Sequence, residues 1–210
     1  MLRSAPRRSL PPAPSRALRS ARTLRPLGAV AASLAFVATL LAGYLAAPVP
    51  ANAATNLGLF PSSLTPATAA VTSTGAANVG VKFTTATDGS VRGIQFYRSS
   101  AQKKSYSASL WDPNGKLLAR TSFPASSTVG WQTAYFSKPV AIQKGKYYTA
   151  SYYATGGRFA VTRNAFVARH TTAEGMAVPG KGGVYKYSSS NLRPTTTTTT
   201  NYMVDVVFDE

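Results

Sequence analysis

The chain has 210 residues, with 23 lysines and arginines against 6 acids, one histidine and no cysteine. Without cysteine there is no thiol catalysis, no cysteine–zinc centre and no disulfide, and a lone histidine excludes multi-histidine zinc sites. The net charge of +17 points first to a polyanion partner, so the placement of the charges decides their meaning.

Seven of the basic residues, Arg3, Arg7, Arg8, Arg16, Arg19, Arg22 and Arg25, precede a long uncharged stretch that begins at Pro26. A basic region (1–26), an apolar region (27–47) and the small residues Ala51-Asn52-Ala53 predict a secretory signal peptide over 1–53, cut near Ala53. Pro48 and Pro50 end any helix just before that site, which favours cleavage. The apolar run is also long enough for an uncleaved membrane anchor, the alternative. Arg7-Arg8 is a weak twin-arginine signal, set far upstream of the apolar run. Export predicts a secreted or cell-surface protein.

Residues 54–210 keep 16 basic and 6 acidic side chains, a net +10, scattered except for Lys103-Lys104. Such a surface stays solvated and attracts polyanions loosely; an anionic envelope polymer fits the exported compartment and nucleic acid does not. This length suits one domain with a core that needs no staples.

Residues 54–77 predict an extended lead-in segment, with Leu59, Phe60 and Leu64 available to pack on the domain that follows (78–210). From there short apolar alternations are punctuated by Gly, Pro, Asn and Asp, the pattern of an all-β chain. Val79, Val81 and Phe83 alternate with Gly80 and Lys82; Asp88-Gly89 marks a turn; Ile94 and Phe96 share one face. Residues 106–111 and 116–123 flank Asp112-Pro113-Asn114-Gly115, the clearest hairpin. Strands follow at 131–136, 139–142, 147–153 and 158–161. Residues 170–183 predict a long loop with room for one helical turn, 184–187 a short strand, 193–200 a low-complexity connector. A closing strand runs from Tyr202 to Phe208, with Tyr202, Val204, Val206 and Phe208 on one face. Eight to ten strands with hairpin-length links predict an antiparallel β-sandwich of jelly-roll type, a closed barrel being the alternative.

Groups able to do chemistry are sparse. His170 stands in a loop with no nucleophile elbow near it. Asp88 and Asp112 lie in turns, where carboxylates cap backbone amides; Glu174 falls in the long loop, and Asp209 and Glu210 end the chain. Asp205 lies among Val204, Val206 and Val207, on the outward face with Met203 and Val207, where it needs solvent, an arginine or a calcium ion. Aromatic rings are the other useful stock. Tyr147 and Tyr153 on the more polar face of their strand, with Tyr106, Tyr185 and Tyr187 in or near loops, are candidates for an exposed ligand platform, in competition with ordinary sheet packing. Trp111 and Trp131 are bulky enough to belong to the core or its rim.

Leu59-Phe60-Pro61, Val79-Gly80-Val81-Lys82-Phe83, Gly93-Ile94-Gln95-Phe96-Tyr97, Ser109-Leu110-Trp111, Gly130-Trp131-Gln132, Tyr148-Thr149-Ala150-Ser151-Tyr152, Gly183-Val184-Tyr185-Lys186-Tyr187 and the run from Asn201 to Phe208 together resemble the bacterial domain of unknown function 4082. The resemblance spans about Leu59 to Phe208. It implies a β-sandwich of exported or cell-surface proteins, often beside immunoglobulin-like, cadherin-like or sugar-active modules, and brings no catalytic motif. Met203 stands where relatives tend to carry tryptophan, and the loop before Val184 lacks a Gly-Asn-Gly. Were that ring or loop to bind a ligand in relatives, this chain would hold it less well.

These features predict a secreted, non-catalytic binding or accessory domain without a cofactor, calcium aside, that contacts extracellular carbohydrate or an envelope polymer. An adhesive domain binding other proteins is the alternative, and a polysaccharide-active enzyme a third reading.

Overall fold

Alternating apolar and small or polar residues build the sheets strand by strand, because a period of two puts every second side chain on the same face. The computed structural model describes residues 57–210; the predicted signal peptide, its cleavage site and the twin-arginine pair lie outside the described residues. The strands are β1 (Thr68–Thr72), β2 (Ala77–Phe83), β3 (Gly89–Arg98), β4 (Tyr106–Trp111), β5 (Leu117–Phe123), β6 (Gly130–Ile142) and β7 (Tyr148–Ala154). They continue with β8 (Arg158–Val161), β9 (His170–Thr171), β10 (Ala177–Val178), β11 (Gly183–Tyr187), β12 (Thr196–Thr198) and β13 (Val204–Asp209).

A six-stranded sheet runs in the order β12-β11-β2-β7-β4-β5, and a three-stranded sheet in the order β13-β3-β6. All of their pairings are antiparallel. Val79, Val81 and Phe83 of β2, Leu110 of β4 and Tyr152 of β7 meet Ile94 and Phe96 of β3 and Val204, Val206 and Phe208 of β13 in one apolar core. Phe96 is its hub, with ring centroids 4.6 Å from Phe123, 4.7 Å from Tyr152 and 5.7 Å from Tyr106. The fold is therefore the expected antiparallel β-sandwich, with two separate sheets rather than a closed barrel. The order β2-β7-β4-β5 facing β13-β3-β6 is that of two nested Greek keys. Leu57, bridged to Phe208, takes the place beside β13 that a first jelly-roll strand would fill.

The hairpin at Asp112 forms as its residues dictate: Gly115 has φ +92°, and the Asp112 carboxylate accepts from the Lys116 amide at 2.8 Å. The expected pair of strands at 131–136 and 139–142 is one strand, β6. Pro139 falls in its register shift, between Tyr135 opposite Gly93 and Val140 opposite Val91, where no ladder donor is required. Among the described residues thirteen strand segments replace the expected eight to ten, because short pairs form within segments that read as loops. β1 lies in the lead-in segment and pairs with β8, β9 and β10 occupy the long loop in place of a helical turn, and β12 arises from the threonine run.

Candidate functional site

The predicted tyrosine platform does not assemble. Tyr106 is a core residue, 3% exposed, packed on Phe96 and Tyr152. It opens β4, the strand expected at 106–111, on the inward parity, so it is no part of an exposed platform. Tyr185 lies opposite Val79 and so belongs to the inward face of the large sheet, where it packs on Tyr202 and Tyr187; Tyr187 itself is 59% exposed at the sheet margin. Tyr147 sits at the other end of the sheet, beneath the Lys82 ammonium at 4.7 Å. Only Tyr153 stands on the outer face of β7 as expected, and it is half-buried.

The outer face of the large sheet is covered by the chain itself. Residues 188–194 leave β11 and cross β2, β7 and β4. Asn78, fully buried, donates to the Ser190 carbonyl at 2.9 Å and accepts from the Leu192 amide at 3.0 Å. Asn191 donates to the Ser107 and Ser109 hydroxyls at 2.8 and 3.3 Å, and Arg193 reaches the Pro113 carbonyl at 3.3 Å. Beneath this strap Thr149, Ser151 and Trp111 are buried, with the indole N–H donating to Ser151 at 2.9 Å. Asn78→Ala removes the donor and acceptor that hold the Ser190 carbonyl and the Leu192 amide of the strap, and with them the anchor of the strap on β2. It should lower the unfolding free energy by about 2–3 kcal/mol in urea titrations.

Asp205 is not solvated or arginine-paired as expected. It is 1% exposed, and its oxygens accept from the amides of Leu59 (2.7 Å), Phe60 (3.0 Å) and Val206 (2.7 Å). Its outward parity is right, but the lead-in segment lies over it. Burial pushes its carboxyl up to about 7, although the three amides pull the other way. Both of its oxygens are thus taken by amide donors, and the described residues hold no group of three or more His, Cys, Asp or Glu able to hold a metal. Of the other acids, Asp88 accepts from the Lys144 amide, Glu210 from the Thr87 hydroxyl, and Asp209 pairs with Arg92 at 2.9 Å, while Glu174 stands exposed.

The free aromatic face lies on the other sheet. Along β6, Ala134 and Phe136 point inward, so Trp131, Thr133, Tyr135 and Ser137 point outward. Thr133 accepts from the Gln95 amide at 3.0 Å, Trp131 meets Tyr97 edge-on at 5.9 Å and donates to the Leu64 carbonyl at 2.8 Å, and Tyr135 is 57% exposed. Aromatic and hydroxyl side chains thus alternate, Trp131 and Tyr135 standing about 13 Å apart along the strand. At the Trp131 end a groove of about 280 Å³ runs between Gln95, Trp131 and Val207 on one side and Leu57, Gly58, Phe60 and Ser62 on the other. At the Tyr135 end an open trough of about 640 Å³ is flanked by Arg120, Ser107 and Ser122 of the neighbouring sheet. Trp131, expected in the core or at its rim, stands at the rim, half-buried against Phe60 and Tyr97, and the outward stripe that it opens adds to the expected sites. The period-two pattern from Trp131 to Ser137, with two small hydroxyls between and beyond the rings, was the available signal.

Fold and surface define an all-β sandwich carrying an exposed aromatic–hydroxyl strand beside a groove. The chain belongs to the family described as domain of unknown function (DUF4082), whose model matches residues 63–204. No curated protein matches it.

Proposed function

We propose that this is an exported, non-catalytic binding domain that lays a saccharide chain of the cell envelope along β6. The observation that carries the reading is the outward stripe Trp131-Thr133-Tyr135-Ser137 with a groove at each end. Indole and phenol faces stack on the C–H faces of sugar rings, while hydroxyls and the Gln95 amide bond to ring substituents. Arg120, exposed at the Tyr135 end, is placed to meet an acidic substituent, and Lys138 follows on β6. The dispersal of the carboxylates over separate turns, strands and the terminus supports binding without turnover.

Glycan arrays and isolated cell wall test this. Tyr135→Ala, a change at an exposed ring that supports nothing else, should weaken retention about tenfold or more, on the order of 1–2 kcal/mol. Arg120→Gln should reduce the salt dependence of binding to acidic saccharides. Retention on neither support, or retention indifferent to Tyr135, would sink the reading. Capture of surface proteins that survives glycan competition would favour the adhesive alternative instead.

A further inference from the structure

A pocket of about 430 Å³ lies between the loop that follows β3 and the turn that follows β7, lined by Ser100, Lys103, Lys104, Tyr106, Gly156 and Arg158. It joins the one adjacent basic pair of residues 54–210 to a third cation, at the start of β8. All three side chains are exposed, and none has a carboxylate partner, since the one ion pair among the described residues is Arg92–Asp209.

The walls are fixed from within. Gln102, fully buried, accepts from the Ser99 amide at 3.1 Å and donates to the Tyr152 hydroxyl at 3.0 Å. The carbonyls of Gln102 and Lys104 accept from the Arg98 guanidinium, and that of Lys103 accepts from the Ser126 amide at 3.2 Å. Three successive carbonyls are thereby engaged, and the loop presents its lysine side chains at the surface. On the other side the turn is closed by the Gly157 amide on the Ala154 carbonyl at 2.9 Å, with Gly157 at φ +61°. Arg158 is held on β8 opposite Thr72, and at Gly156 an added Cβ would meet nothing within 4 Å.

Arg98 adds a fourth positive charge to this region. It is 1% exposed, its carbon Cζ lies 5.4 Å from the centroid of the pocket-lining Tyr106 ring, and its Nε has no partner. Carbonyls and ring faces solvate this charge without cancelling it. Cations gathered in a concave site beside a buried guanidinium hold a positive potential that water screens less than it would on a flat surface.

We propose that this pocket is an anion subsite that takes the phosphate groups of a polyanionic chain. The proposal does not rest on the saccharide reading of β6. A carboxylate has two coplanar oxygens and matches a single arginine fork, whereas phosphate oxygens point several ways and meet ammonium groups from the loop and a guanidinium from β8 together. The small lining residues Ser100, Ala101 and Gly156 offer a bilayer no apolar side chain to insert, which favours a chain in solution over a lipid headgroup.

Amide NMR shifts of the full-length chain, titrated with inorganic phosphate in place of chloride at constant ionic strength, test this. Saturable shifts are expected at Ala101 to Lys104 and Gly156 to Arg158, and Tyr135→Ala should leave them unchanged, so the fate of the β6 reading is decided separately. Gly156→Glu places a carboxylate at the mouth of the pocket and should weaken binding about tenfold or more, whereas Gly156→Ala should keep it. Should Gly156→Glu fail to fold, Lys103→Gln combined with Lys104→Gln on the exposed loop should lower both the affinity and its salt dependence. Shifts that do not saturate, that chloride reproduces or that these variants leave unaltered overturn the subsite. Poly(glycerol phosphate) should displace inorganic phosphate at a lower phosphate concentration than the free ion requires, and polygalacturonate should displace it more weakly. Equal displacement by polygalacturonate overturns the assignment to phosphate. Retention on phosphatidylglycerol vesicles that the polymer does not compete away overturns the chain as its source.

Discussion

Arg98→Met is expected to lower the unfolding free energy by about 3–5 kcal/mol, the cost of leaving three backbone carbonyls without their donors. Arg98 ends β3 with 1% of its surface exposed, and its partners are not carboxylates. One terminal nitrogen donates to the carbonyls of Gln102 at 2.7 Å and Lys104 at 2.9 Å; the other donates to that of Pro124 at 2.9 Å. The guanidinium lies over the Phe96 and Tyr106 rings, 5.1 and 5.4 Å from their centroids. Burial lowers its pKa, with Tyr106 and Tyr152 acting in the opposite sense. It thereby closes the two loops that cap this end of the core. Methionine fills the space of the stem but leaves three carbonyls without donors, each worth about 1–3 kcal/mol when stranded. Arg98→Lys keeps the charge without the planar fork and should lose about half as much. Urea titration measures both; a loss below about 1 kcal/mol for Arg98→Met would show that water replaces the guanidinium.

The faces of the strands were legible because period two is a local property. Val79, Val81 and Phe83, or Val204, Val206 and Phe208, declare their inward side within one strand. What lies on an outward side is a long-range matter. Asp205 was placed correctly by parity and wrongly by solvation, since the amides that cover it come from Leu59 and Phe60, 146 and 145 positions earlier. Tyr153 was taken for a free surface because Asn78 and the strap it ties down are 112 positions apart at Ser190. Tyr106 differs for another reason: β4 spans 106–111 as expected, but the ring shares the inward face of Ala108 and Leu110. The aromatic–hydroxyl stripe of β6 carries its pattern in seven consecutive residues. Trp131 stands at the rim as its bulk predicts, its indole N–H donating to the Leu64 carbonyl.

The same argument makes Gly80 the second position of large effect. It lies mid-strand in β2, opposite Ser151 of β7 on one side and Val184 of β11 on the other. The outward face here is lined by small residues, Gly80, Ser151 and Ser109, and the strap lies close upon it. A Cβ at Gly80 would stand 2.8 Å from the Ser151 Cα and nearer still to the Ala150 carbonyl, both of them main chain and unable to swing aside. Gly80→Val must therefore part β2 from β7 at the middle of the six-stranded sheet. The expected loss is about 3 kcal/mol or more, at the upper end of overpacking, with faster exchange of the ladder amides around Ser151. Gly75→Val, where an added Cβ meets nothing within 4 Å, should shift stability by less than about 0.5 kcal/mol. If both substitutions cost the same, the penalty comes from losing glycine as such. If only Gly80→Val is severe, the close approach of the β7 main chain to Gly80 is what requires glycine there.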